Sequence, residues 1–287
     1  MALRFAANCS IIFTELPLLE RPAAAAAAGF SAIELWWPFA DPVPADQEVA
    51  DLEEAIREAG VALIALNLDG GNLAAGERGI ASHPGVDQRF SDNLACATGI
   101  ASRQGARVMN VLYGNEVEGM TRAAQDDLAI GRLVLAANAA AIIGARVVIE
   151  TQNRVDSPSY PLRTPDEAIA LCEKVRAEGA GAIGWLCDLY HVAMEQMDPT
   201  AELERNYAYI DHVQIADAPG RHEPGSGTID FHKALGRLVQ LGYGGYVACE
   251  YRPSGPSAES FSWRPAFERA AMDAAPPQGP SEQGAQG

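Results

Sequence analysis

Gly144-Ala-Arg-Val-Val-Ile-Glu150 carries three signals in one short stretch. A glycine stops a helix, Arg146–Ile149 reads as a buried strand, and a carboxylate stands where the strand ends. The same punctuation, a Gly-containing turn and then a short apolar run, recurs at Gly29-Phe30, Gly60-Val61 and Gly105-Ala106. Working outward, Leu3–Ala7, Ala32–Trp36, Ala62–Leu68 and Arg107–Val111 are strand candidates before this stretch. Ile183–Leu186, His212–Ile215 and Tyr246–Cys249 follow it. These runs are short and apolar, as expected for strands buried on both faces of a parallel sheet.

Helix signals fill the gaps. Asp51–Ala59 ends at Gly60, and Thr164-Pro165-Asp166-Glu167 has the cap, first-turn proline and acidic start of a helix. Asp230 can cap a segment running to Leu241, with Gly242 as its stop. Ala23–Ala28 reads as a helix packed closely on the sheet. Eight strands alternating with helices predict either a closed barrel or a large doubly wound sheet. Residues 1–273 form one domain on this reading, and the Pro-, Gly- and Gln-rich residues 274–287 form a disordered tail.

The 287 residues are 48% apolar, enough for a substantial core. Twenty-one basic against 38 acidic residues leave a formal charge of −17, with no Lys/Arg cluster to oppose it. That balance disfavours nucleic acid as a partner. The five cysteines, Cys9, Cys96, Cys172, Cys187 and Cys249, are odd in number and show no CxxC spacing, which suits reduced thiols. The N-terminal MALRFAANCS lacks the plan of a signal peptide, and the apolar run Leu133–Ile143 is too short to cross a bilayer. A cytoplasmic protein with no membrane partner is the expectation.

The last four strands end alike. Arg146–Ile149 runs into Glu150 and Ile183–Cys187 into Asp188; His212-Val213 runs into Gln214 and Tyr246–Cys249 into Glu250. The four are 38, 26 and 36 residues apart, each about one strand–helix unit. In a barrel they would gather at the C-terminal mouth, where sites of that fold lie. Three carboxylates held together repel one another unless a divalent cation offsets them. An oxygen-only set suits Mg2+ or Mn2+ better than a thiolate-rich zinc or iron site.

Three longer strings sharpen the reading: Asn67-Leu-Asp-Gly-Gly-Asn-Leu-Ala-Ala-Gly-Glu-Arg-Gly79, His212-Val-Gln-Ile-Ala-Asp-Ala-Pro-Gly-Arg-His-Glu-Pro-Gly-Ser-Gly227 and Cys249-Glu-Tyr-Arg-Pro253. They resemble the hydroxypyruvate isomerase family of the xylose-isomerase-like (β/α)8 TIM barrels, and the similarity runs from Leu3 to about Phe267. The resemblance implies that Glu150, Asp188, Gln214 and Glu250 hold a divalent metal ion, Mg2+ or Mn2+. It also implies that Glu150 and Glu250 are the catalytic proton-transfer pair and that His191 binds substrate. Arg221 and Arg78 are candidates for a substrate carboxylate, because a guanidinium fork matches that group. The implied reaction converts hydroxypyruvate to tartronate semialdehyde, with a small hydroxy-carbonyl acid as the partner and a homo-oligomer usual among relatives. Asn153-Arg154-x-Asp156 is similar instead to the ketose 3-epimerases, so an epimerase or a 2-oxo-tetronate isomerase is the nearest alternative. A metal-dependent endonuclease or a non-catalytic sugar-binding barrel is a reading of a different class.

Other features rank lower. Trp36 and Trp37 either wall the pocket or belong to the core. Alternation turns Cys187 and Cys249 toward the helix layer as small buried hydrophobes. His212 shares the face of Gln214 but stays outside the proposed site. His83, His222 and His232 have no zinc spacing, and Gly225-Ser-Gly227 is no phosphate loop.

Overall fold

In the computed structural model, which describes residues 3–267, eight parallel strands close on themselves. They are β1 (Arg4–Asn8), β2 (Ala32–Leu35), β3 (Ala62–Asn67), β4 (Val108–Asn110), β5 (Arg146–Glu150), β6 (Ile183–Asp188), β7 (Ile210–Ile215) and β8 (Tyr246–Cys249). Strand β1 pairs with β8 from Arg4↔Tyr246 to Ala7↔Cys249. That closing ladder excludes the open doubly wound sheet and makes the fold a (β/α)8 barrel. The expected disordered tail, 274–287, lies outside the described residues.

Helices α1 (Arg21–Ala27), α2 (Asp46–Ala59), α3 (Asp87–Gln104), α4 (Arg122–Ile142), α5 (Pro165–Ala177), α6 (Leu189–Met194), α7 (Pro199–Asn206) and α8 (Phe231–Gln240) lie between the strands. Thr164 and Glu167 cap α5 reciprocally, and Asp230 accepts the Lys233 N–H at the start of α8. Helix α2 starts before the expected Asp51. The Glu48 carboxylate accepts the Ala45 N–H at 2.9 Å, satisfying an end group that would otherwise be unpaired. Gly60, with φ +68°, ends it as read from the sequence.

Strand alternation places the site. Val147 and Ile149 pack outward into the main core, whereas Val148 joins Ala65, Val108 and Leu186 inside the barrel. Ala6, Ala32 and Ala248 form a second interior cluster. These small and apolar side chains floor the barrel. Two residues further along their strands, the same face carries Asn8, Glu34, Asn67, Asn110, Glu150, Asp188 and Glu250. On β7 the corresponding pair is His212 and Gln214. Thus every strand, and not only the last four, brings a polar side chain to the C-terminal mouth.

Candidate active site

Glu150, Asp188, Gln214 and Glu250 form one linked, buried cluster. A donor atom from each of Glu150, Asp188 and His191 lies within 4.8 Å of the other two. Gln214 donates to Glu250 through its amide nitrogen. Arg221 Nη2 joins the remaining pair, 2.6 Å from Glu250 and 3.7 Å from Asp188. Burial, reinforced by Asp188, pushes the Glu150 carboxyl up to about 7. Burial likewise lifts Asp188 to about 6, although Arg221 opposes it. Glu250 rises well above the usual carboxylate range for the same reason, again against Arg221. So much negative charge in a dry site calls for a counter-ion.

The donor set fits one. Asp188 Oδ2 and Gln214 Oε1 are buried and have no hydrogen-bond partner. Unmade acceptors of this kind are rare in native interiors, and a hard cation satisfies them. His191 stands beside them but is prepared for a different task. Its Nδ1 receives the Asn153 backbone N–H at 3.1 Å and faces the Asn153 side-chain nitrogen at 2.7 Å. The Asn153 Oδ1 already accepts the N–H groups of Val155 and Asp156, so its amide presents NH2 to the ring. Nδ1 is therefore the acceptor, and the proton of the neutral ring sits on Nε2. Burial holds His191 far below its ordinary pKa, with Arg221 and Arg78 adding to the effect. Nε2 is 3.5 Å from Glu150 and 3.6 Å from Asp188, so it offers an N–H to the pocket and no lone pair to a metal.

The loop after β7 is built to deliver Arg221. The buried Asp217 carboxylate accepts the N–H groups of Ala218, Gly225, Gly227 and Ile229 at 2.8–3.0 Å. A side chain at Gly227 would run into the Ala218 carbonyl, which explains the glycine there. Arg221 lies over the Tyr190 ring, 5.1 Å from its centre. Desolvation pulls its pKa down, but Glu250, Asp188 and Glu150 outweigh that and hold it firmly charged. Its Nε is buried and unpaired.

Arg78 is fixed after β3, where Gly79 bridges to Tyr113 and a Cβ would strike the Leu112 carbonyl. Its guanidinium binds Ser157 Oγ at 3.1 Å and the carbonyls of Leu73 and Glu77 at 3.0 and 2.8 Å. None of these partners is a carboxylate side chain. Half-buried and near Arg221, it is held below its usual pKa by desolvation first and by that neighbour second. Arg78, Arg221, His191, Glu150 and Glu250 share a cavity of about 330 Å³ with Trp36. Trp37 turns away to pack against Phe39.

Several participants were not read from the sequence. Asn8 and Asn110 donate to Glu250 and Glu150, each at 2.9 Å. Glu34 is buried and receives His212 Nε2 at 2.6 Å, which draws His212 into the network after all. The signal for Glu34 was a lone carboxylate inside the apolar Ala32-Ile-Glu-Leu-Trp36. Arg252 lines the cavity, and among the described residues its guanidinium has neither a hydrogen bond nor an ion pair. Cys187 and Cys249 are buried in the outer core as expected, and burial raises both thiol pKa values.

A closed barrel with a charged, cation-fitting cluster at the C-terminal mouth defines the class: a TIM barrel with an enzyme-like site. The xylose isomerase-like TIM barrel family matches residues 22–269, and the chain belongs to that family. A Streptomyces coelicolor protein named "Putative hydroxypyruvate isomerase" is 49% identical over 272 residues, covering 93% of this chain and 98% of that one. A 2-oxo-tetronate isomerase of Cupriavidus necator is 35% identical over 260 residues, covering 91% and 96%. The crystal structure titled AP endonuclease, family 2, from Brucella melitensis superposes with a TM-score of 0.84 at 32% identity, covering 93% of this chain and 99% of that chain.

Proposed function

We propose that this chain is an isomerase of small hydroxy keto acids, with hydroxypyruvate converted to tartronate semialdehyde as its reaction. One observation carries the reading. Glu150 and Glu250, members of a buried set in which Asp188 Oδ2 and Gln214 Oε1 lack hydrogen-bond partners, share a cavity with Arg78 and Arg252, which among the described residues make no hydrogen bond or ion pair with a carboxylate. The cluster suits proton transfer, and the arginines suit the acid group of the substrate. The names of the two relatives agree with an isomerase.

Glu150, Asp188, Gln214 and Glu250 would hold the metal ion, Mg2+ or Mn2+ by their oxygen chemistry. When bound, it would polarise the substrate oxygens and offset charge that builds on them. The protein's part is the proton. One of Glu150 and Glu250 removes a proton from the carbon bearing the hydroxyl, leaving an enediolate. The other glutamate returns a proton to the neighbouring carbon. The hydroxyl oxygen becomes the aldehyde as the former keto oxygen gains a proton, so the reaction is redox-neutral. His191 Nε2–H donates to a substrate oxygen, in the tautomer that Asn153 imposes. Arg78, Arg221 and Arg252 bind the carboxylate.

A 2-oxo-tetronate is the alternative substrate, requiring the same chemistry on a longer acid. The endonuclease name of the Brucella melitensis structure raises that activity as a second reading, which the charge of −17 opposes. Five free cysteines support a reducing, cytoplasmic location, and among the described residues no helix is long and apolar enough to cross a membrane. The deciding experiment offers hydroxypyruvate, a 2-oxo-tetronate, a neutral ketose and abasic DNA to metal-stripped and Mn2+-loaded protein. Turnover of the keto acids that requires metal is expected. Preference for the ketose, or cleavage of the DNA alone, refutes the proposal.

A further inference from the structure

We propose that Glu34 is a positioning residue whose carboxylate sets which face of the Gln214 amide a cation meets. It is buried on β2, is absent from the cavity wall, and has no role in the reaction described above. Its Oε1 accepts Gln214 Nε2 at 2.7 Å and Asn8 Nδ2 at 2.9 Å. Its Oε2 faces His212 Nε2 at 2.6 Å. The Gln214 nitrogen also donates to Glu250, so both amide hydrogens are committed to carboxylates. The amide oxygen is thereby turned away from them, and it is the atom left buried without a partner.

Glu34 acts as an outer partner that fixes the orientation of a ligand. An amide free to rotate could present either NH2 or oxygen, and NH2 would repel a cation. Turning the oxygen toward Glu34 would place two acceptors 2.7 Å apart in a dry interior, which the structure penalises. Asn8 and His212 hold Glu34 in turn. Asn8 also donates to Glu250 Oε2, so one network orients two members of the cluster. The inference rests on Gln214 being a cation ligand, and its test separates the two ideas.

Mn2+ binding to metal-stripped protein is measured by calorimetry for wild type, Glu34→Gln, Glu34→Asp, Gln214→Ala and the Glu34→Gln/Gln214→Ala double variant. Circular dichroism and Tm of the stripped proteins are recorded alongside. Loss of an outer partner of a metal ligand typically costs 10- to 100-fold in affinity, and Glu34→Gln is expected to weaken Mn2+ binding by roughly that factor. Glu34→Asp keeps the charge but withdraws it from Gln214, and should show a loss of the same order. With Gln214 already removed, Glu34→Gln should cost nothing further, because its path to the metal is gone. Losses that multiply in the double variant would make Glu34 a bystander charge and overturn the inference. So would wild-type affinity in Glu34→Asp, or a fall in stripped-protein Tm with no change in affinity. An unchanged affinity in Gln214→Ala would instead refute the ligand reading beneath it.

Discussion

Arg252→Ala is the cleanest test of the substrate class, because the protein itself loses so little. The guanidinium lines the cavity yet meets no acceptor among the described residues, so its removal leaves no buried partner stranded. Substitutions at such positions usually change stability by no more than about 0.5 kcal/mol. A charged hydrogen bond to a substrate carboxylate is worth about 1.5–3 kcal/mol, and exposure of Arg252 argues for the lower end of that range. At about 1.4 kcal/mol per decade, kcat/KM for hydroxypyruvate should fall roughly 10-fold. Dihydroxyacetone, which offers no carboxylate, should lose less than about 2-fold on the same scale. Arg221→Ala cannot make this distinction. That change strips the buried Glu250 of its 2.6 Å partner and should depress turnover of both compounds. The assay is steady-state kinetics of wild type and Arg252→Ala on the charged and the neutral substrate, with Tm measured in parallel. Equal losses on the two would show that Arg252 does not read the carboxylate.

Glu150→Gln and Glu250→Gln should each lower turnover at least ~100-fold, the scale of general acid–base catalysis, and near-normal rates in either variant would remove that glutamate from the mechanism. In metal-stripped protein, burial first, with Asp188 beside Glu150 and Glu34 near Asp188, pushes the Glu150 and Asp188 carboxyls up to about 7 and about 6. A carboxyl whose folded pKa is raised stabilises the fold below its unfolded pKa and loses that contribution as pH rises through the folded value. The Tm of stripped protein should therefore fall between pH 5 and 8, and saturating Mn2+ should reverse the fall. A flat profile, or one that climbs, contradicts the assigned burial. Asp217→Asn leaves about two of the four N–H groups that converge on this buried carboxylate without an acceptor; three of the four bonds are only partly buried, so the change should cost roughly 1–3 kcal/mol in chemical denaturation and displace the Arg221 loop. Wild-type stability would show that another group orders that loop.

What the chain spelled out and what it hid have a common physical cause. Along β5, β6 and β8, Glu150, Asp188 and Glu250 are visible because each closes an apolar run, and Gln214, inside β7, is placed by its spacing of about one strand–helix unit from its neighbours. The same rule applied to β1 to β4 would have found Asn8, Glu34, Asn67 and Asn110, which share the inward face with them. Two features hide them. Asparagine after a strand reads equally well as a turn residue, and Glu34 sits within its run and not at its end. The partnerships were beyond any pattern. Glu34 meets Gln214 across 180 residues of chain, and only closure of β1 onto β8 brings Asn8 against Glu250. Arg221 shows the limit from the other side. Its position on the mouth loop was legible, but its commitment to Glu250 depends on a loop wound around Asp217 and on a left-handed backbone at Arg221, with φ +55°. Sequence spacing reports which strand a side chain leaves. Which acceptor it reaches is decided by the charges already buried there, and in this barrel those charges direct Arg221 inward, while among the described residues no carboxylate hydrogen-bonds or ion-pairs with Arg78 or Arg252 at the cavity.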